Sequence, residues 1–147
     1  MTARVVAIGL KIPDNEAYTA AAALRRMGLD VDAVERSEIW SLDDAGDAAT
    51  FPGRVRANEA IFNPNKHRLT VLDLPAPRSG EAWIAKAGAR DEVREHLGGK
   101  GIAGVARARR YVGWRLLGRS GSPVARETLV AAVERLLCNP AIEKATY

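Results

Sequence analysis

The sequence predicts an α+β fold made of two β-α-β-α-β units packed as a pseudo-dimer, an antiparallel sheet with helices on one face. Two observations lead there. Short β-branched apolar runs alternate with amphipathic stretches of helical period. The same order of apolar runs, glycines and an Asn-Pro break also occurs twice, on either side of Leu74-Pro75-Ala76-Pro77. Gly28-Leu29-Asp30-Val31 is answered by Gly99-Lys100-Gly101-Ile102 at an offset of about 71 residues, and Asn63-Pro64 by Asn139-Pro140 at about 76, as an ancient tandem repeat with a few loop insertions would give. The two repeats divide as residues 1–75 and 76–147.

The first repeat opens with a buried strand over residues 4–11, β-branched and bounded by Pro13-Asp14-Asn15. Asp14 or Asn15 caps the helix that follows, because either side chain accepts from the exposed first-turn amides. Tyr18, Ala21, Ala22, Leu24 and Met27 supply its apolar face, and Gly28 stands at its C′ position. A second strand covers residues 31–42 and a polar loop 43–50. Pro52, Val55, Ala57, Ile61 and Phe62 then predict a helix stopped at Asn63-Pro64, since proline forces its predecessor out of the α region. A third strand is expected over 68–74.

The second repeat follows the same plan. A short strand is expected over 81–86, a helix over 90–97 and a long strand over 102–117. In that long strand Ala106, Ala108, Val112, Trp114 and Leu116 share one face, which Arg110 interrupts, while Val105, Arg107, Arg109, Tyr111 and Arg115 share the other. Ser122 is the expected cap of an amphipathic helix carrying Val124, Leu129, Val130, Val133, Leu136 and Leu137. Asn139-Pro140 halts it, and a last strand covers 141–147.

Composition narrows the function classes. With 147 residues, 47% apolar and 27% charged, the chain can bury one core or two small lobes. It carries no run of 18 or more apolar residues, and "RVVAIGLKI" reads as a strand rather than as a secretion signal, so a cytoplasmic protein is expected. The single Cys138 excludes an internal disulfide and is expected to be a buried thiol. Charge is asymmetric: up to Pro75 there are 9 basic against 11 acidic residues, and beyond it 13 against 7. The basic character belongs to the second repeat.

Catalytic motifs are scarce. Gly98-Gly99-Lys100-Gly101 follows a helix instead of preceding one, so it suits a C-cap and not a phosphate cradle. His67 and His96 are far apart with no partnering Cys, which leaves no metal-ligand spacing; no cofactor is expected. No Gly-x-Ser-x-Gly or Cys-His arrangement suggests a hydrolase. The candidate site is the arginine row Arg107, Arg109, Tyr111 and Arg115. Three readings of it stay open: a protein interface, where Arg and Tyr are enriched, a grip on phosphates and bases, or a solvated strand face that discourages aggregation.

Residues near the C-terminus carry a family resemblance. Leu136, Leu137, Cys138 and Asn139 followed by Ile142 and Glu143, with the opening "VVAIGLKIPDNEAYTAAAALRRMG", resemble PurS, the small subunit of phosphoribosylformylglycinamidine synthase. A PurS chain is about half as long and works as a homodimer, so the resemblance implies two ferredoxin-like PurS units in covalent tandem, an intramolecular association in place of a bimolecular one. It further implies a noncatalytic subunit in purine biosynthesis, bridging an ATP-dependent synthetase and a glutaminase that feeds it ammonia, with further self-association open. A small basic α+β module that binds nucleic acid or another ligand is the alternative. Fusion would let the copies diverge, as Glu35 and Glu38 in one second strand and Arg107, Arg109 and Arg115 in the other have done.

Overall fold

A computed structural model describes residues 1–88 and 101–147. In chain order the elements are β1 (Thr2–Leu10), α1 (Asn15–Arg26), β2 (Ala33–Asp44), α2 (Phe51–Arg56), β3 (His67–Val71), β4 (Glu81–Lys86) and β5 (Val105–Leu117). A 3-10 turn (Arg119–Gly121), α3 (Arg126–Ala132) running into a π-helical turn (Val133–Leu137), and β6 (Glu143–Thr146) complete the chain. The strands form one antiparallel sheet in the order β3-β1-β2-β5-β4-β6, so the protein is α+β as expected. The helix expected over 90–97, with His96 and the glycine run up to Lys100, lies outside the described residues.

Local chemistry explains most boundaries. Asp14 caps α1 by accepting from the backbone N–H groups of Glu16 and Ala17, and Gly28 follows the helix at φ +85°, a conformation that costs glycine little. Three expectations are corrected. The apolar face of α1 is Ala17, Ala20, Ala21 and Leu24; Tyr18 is 66% exposed, because a one-position turn of the helix puts the small alanines inward. The second helix stops at Arg56, and Ile61 and Phe62 reach the core from a turn in which Asn58 Oδ1 accepts from Ala60 N. The third begins after Ala125 without a side-chain cap, so Ser122 does not cap it, and its π turn leaves Leu136 exposed.

Contact clustering separates two compact units, and each draws on both sequence repeats. The first contains β1, residues 38–44 of β2, α2, β3 and the start of β5. Its core packs Val6 and Ile8 of β1, Trp40 and Leu42 of β2, Phe51 and Val55 of α2, and Ile61 and Phe62 against Ile102 and Ala108 from the second repeat. The second contains α1, residues 33–37 of β2, β4, the rest of β5, α3 and β6. Its core sets Leu24 and Val31 from the first repeat against Ala82, Ile84, Leu116, Leu129, Ala132 and Val133. In each unit the strand residues that meet helices lie at alternate positions, as a pleated sheet requires. The intervening residues are not all solvated: Val5, Ala7 and Ile39 in the first unit and Trp83 in the second are buried.

The two Asn-Pro turns share one hydrogen-bond pattern. Asn63 Oδ1 accepts from Asn65 N while Asn63 O accepts from Lys66 N and His67 N; Asn139 Oδ1 accepts from Ala141 N while Asn139 O accepts from Ile142 N and Glu143 N. Each turn is closed by a side chain four residues on, His67 Nδ1 accepting from Asn63 N and Glu143 Oε1 accepting from Asn139 N, both at 2.9 Å. Beyond each turn an edge strand joins the first strand of its repeat in equivalent register, Leu10 opposite His67 and Lys86 opposite Glu143. The tryptophans of the two long strands also correspond: Trp40 faces Val6 of β1, and Trp114 faces Ala82 of β4.

Because each core needs residues from both repeats, residues 1–75 expressed alone should lack cooperative thermal unfolding and near-ultraviolet dichroism, whereas the whole chain shows both. A fragment that melts cooperatively would contradict the interleaved cores. Asn63→Ala and Asn139→Ala should each cost about 1 kcal/mol in urea unfolding, since each removes one side-chain acceptor from an equivalent turn.

Candidate functional site

Strand β5 carries all four residues of the arginine row, and the structure divides them. Arg107 and Arg109 lie on the stretch assigned to the first unit, Tyr111 and Arg115 on that assigned to the second. Arg107 and Arg109 are exposed, with Ala108 between them fully buried, so the pleat aims both guanidinium stems away from the core. Neither has an ion-pair partner among the described residues. Val105, expected on the same face, packs instead against the first core just after the turn at Gly104, whose φ is +85°.

Tyr111 and Arg115 are engaged. The Tyr111 ring lies 5.3 Å from that of Trp83 at an interplanar angle of 37°. Trp83 Nε1 donates to Glu81 Oε1 at 3.1 Å, and Arg78 donates to the same carboxylate through its backbone N at 3.0 Å and Nη2 at 2.6 Å. Glu81 is 1% exposed, so these donors replace the water it has lost. Register places Arg115 directly opposite Glu81, while Arg115 Nη1 stands 3.5 Å from Glu35 Oε2 on β2. Two carboxylates and two arginines thus balance on one face of the second unit. On the other face of β5 the Arg36 guanidinium lies 5.8 Å above the Trp114 ring and pairs with Glu16 at 3.2 Å.

A second polar centre, in the first unit, was not visible as a site in the sequence. Asp44, at the end of β2 where a loop was expected, is 1% exposed. Arg54 grips it with both terminal nitrogens, Nη1 at 2.7 Å and Nη2 at 2.9 Å, while Arg4 Nε and Gly46 N add bonds of 2.9 and 3.0 Å. Both guanidinium groups also sit over the Phe51 ring, at 5.8 and 5.7 Å. Arg54 extends to the carbonyls of Ala103 and Asp47, and so ties α2 to the loop that enters β5. Glycine is required around it: a Cβ at Gly46 would meet Arg54 Nη2 at 2.6 Å, and one at Gly104 would meet Arg54 Nη1 at 2.8 Å. The Asp-x-Gly step at 44–46 was the available sequence signal, but its partners stand 40 residues before and 10 after.

What these groups can do chemically is limited by their satisfaction. The Arg54 bond, helped by Gly46 and Arg4, holds the Asp44 carboxyl well below the usual carboxylate range despite burial, and four donors occupy it; it is a structural anion, not a base. His67 Nδ1 is spent on the Asn63 turn and its ring stacks on Phe62 at 6.1 Å. The half-buried Cys138 has its thiol pushed up by burial, then by the Glu143 carboxylate, which opposes thiolate formation. Among the described residues no group of three or more His, Cys, Asp or Glu side chains is placed to hold a metal ion, and no helix is long and apolar enough to cross a membrane. The free chemistry of the row is the charge of Arg107 and Arg109.

Asp44→Asn should destabilise the protein by on the order of 3 kcal/mol at neutral pH, because it leaves two arginines without their shared anion. A depressed folded-state pKa stabilises above the unfolded value, so the gap between wild type and variant should close as pH falls below about 4. Denaturant unfolding at a series of pH values measures it. No family model, curated protein or solved structure matches this chain.

Proposed function

We propose that the chain is a noncatalytic assembly subunit of the PurS type, two ferredoxin-like units fused as a pseudo-dimer that bridges an ATP-dependent synthetase and a glutaminase. The observation that carries this is the equivalence of the two repeats down to single hydrogen bonds, at the Asn63 and Asn139 turns, which is what a fused pair of one small subunit requires. Support also comes from the polar groups. Asp44 and Glu81 are saturated by structural donors and His67 by a turn, so the described residues offer surface rather than acid–base chemistry.

Arg107 and Arg109 are the contact residues we assign to a partner, since an unpaired exposed arginine gains most from a carboxylate or carbonyl across an interface. A nucleic-acid role is less well supported: the Tyr111 ring that would stack on a base already lies against Trp83.

Affinity-tagged protein, recovered from the native lysate with glutamine and nucleotide present, should bring down a synthetase and a glutaminase. Arg107→Glu combined with Arg109→Glu should lower that recovery at least about tenfold without shifting the melting temperature. Recovery of neither enzyme, or recovery of nucleic acid that is lost steeply with rising salt, would sink the assembly reading.

A further inference from the structure

Strand β3 is an edge of the sheet, bonded to β1 on one side only. Which of its backbone groups face outward follows from the register. Leu72 N donates to Val5 O at 2.9 Å and Lys11 N to Lys66 O at 2.8 Å, continuing the β1–β3 register at either end. Hydrogen-bonded and non-hydrogen-bonded pairs alternate in an antiparallel ladder, so Thr70 and Arg68 direct their backbone groups at Ala7 and Gly9. His67, Leu69 and Val71 direct theirs outward. His67 N is taken by Asn63 O, which leaves the N–H and C=O of Leu69 and Val71 and the C=O of His67 without partners among the described residues.

From this row we infer that β3 is the self-association edge of the protein: two copies pair β3 with β3, antiparallel and centred on Leu69. In that register the outward N–H of Leu69 meets the C=O of Leu69 in the other copy, and Val71 N–H meets His67 C=O, each twice by symmetry. The side chains agree with it. Arg68 falls opposite Thr70 and His67 opposite Val71, so no like charges stand directly opposite one another. A register centred on Arg68 would instead oppose two arginines. Val71, 40% exposed, and Leu74, 70% exposed, add apolar surface at the same edge.

The opposite edge separates the cases. β6 has the same outward pattern at Ala145, since Ala87 N donates to Ile142 O and sets the alternation along the strand. Its Glu143-Lys144-Ala145-Thr146 sequence has weak strand propensity and charges of the kind that blunt an edge. A second copy at β3 needs nothing from the proposed partner enzymes.

Proline tests it cleanly. Val71→Pro removes an outward N–H and no β1–β3 bond, and the preceding Thr70 is already extended, so the fold survives. Sedimentation equilibrium of the full chain should show reversible dimerisation with Kd in about the micromolar range, fitting a small interface, with mass approaching twice 15.8 kDa. Val71→Pro should weaken it at least about tenfold at an unchanged melting temperature. Ala145→Pro, which removes the equivalent N–H of β6, should leave it intact. A wild-type chain that stays monomeric to about 200 µM, some hundredfold above such a Kd, overturns the inference. So does a Val71→Pro variant that dimerises normally, or loss of the dimer in Ala145→Pro instead.

Discussion

Neither repeat of this chain encloses a core of its own. The first cluster closes only when Ile102 and Ala108 arrive from the second repeat, and the second only when Leu24 and Val31 arrive from the first. Long strands make this possible: β2, at 12 residues, and β5, at 13, each supply side chains to both units. A segment of some 70 residues folding by itself would bury only about 60% of the surface its unfolded chain exposes, less than a longer chain can, and be marginal. Sharing elements between residues 1–75 and 76–147 gives each core more apolar area than either segment could offer it.

Buried charge is arranged around the same constraint. Asp44 sits where β2 leaves the first core, and its two arginines come from β1 and α2. Glu81 stands at the start of β4, held by Arg78 and Trp83. Each carboxylate pins the end of a strand, and each is fully occupied, so burial costs are offset by charged hydrogen bonds. The consequence is that these two buried carboxylates are structural.

The two Asn-Pro turns are built alike. Asn63 N donates to His67 Nδ1 and Asn139 N to Glu143 Oε1, so each turn closes on a side chain four residues on. Glu35 and Arg115 lie on neighbouring strands of the sheet, and their opposite charges pair at 3.5 Å.

Much of this was legible from local pattern. Short apolar and β-branched runs located the six strands, Asp14 and Gly28 marked the ends of α1, and Asn63-Pro64 and Asn139-Pro140 announced breaks, because each depends on residues within a few positions of one another. The alternation of β5 likewise put Arg107 and Arg109 together on one face of the strand. Only the tertiary structure decided which elements share a core, that Tyr111 and Arg115 are engaged while Arg107 and Arg109 are free among the described residues, and that Asp44 belongs to Arg4 and Arg54. Those outcomes depend on partners tens of residues away, and the strength of a contact between them is set by packing and desolvation, quantities that no local window of sequence contains.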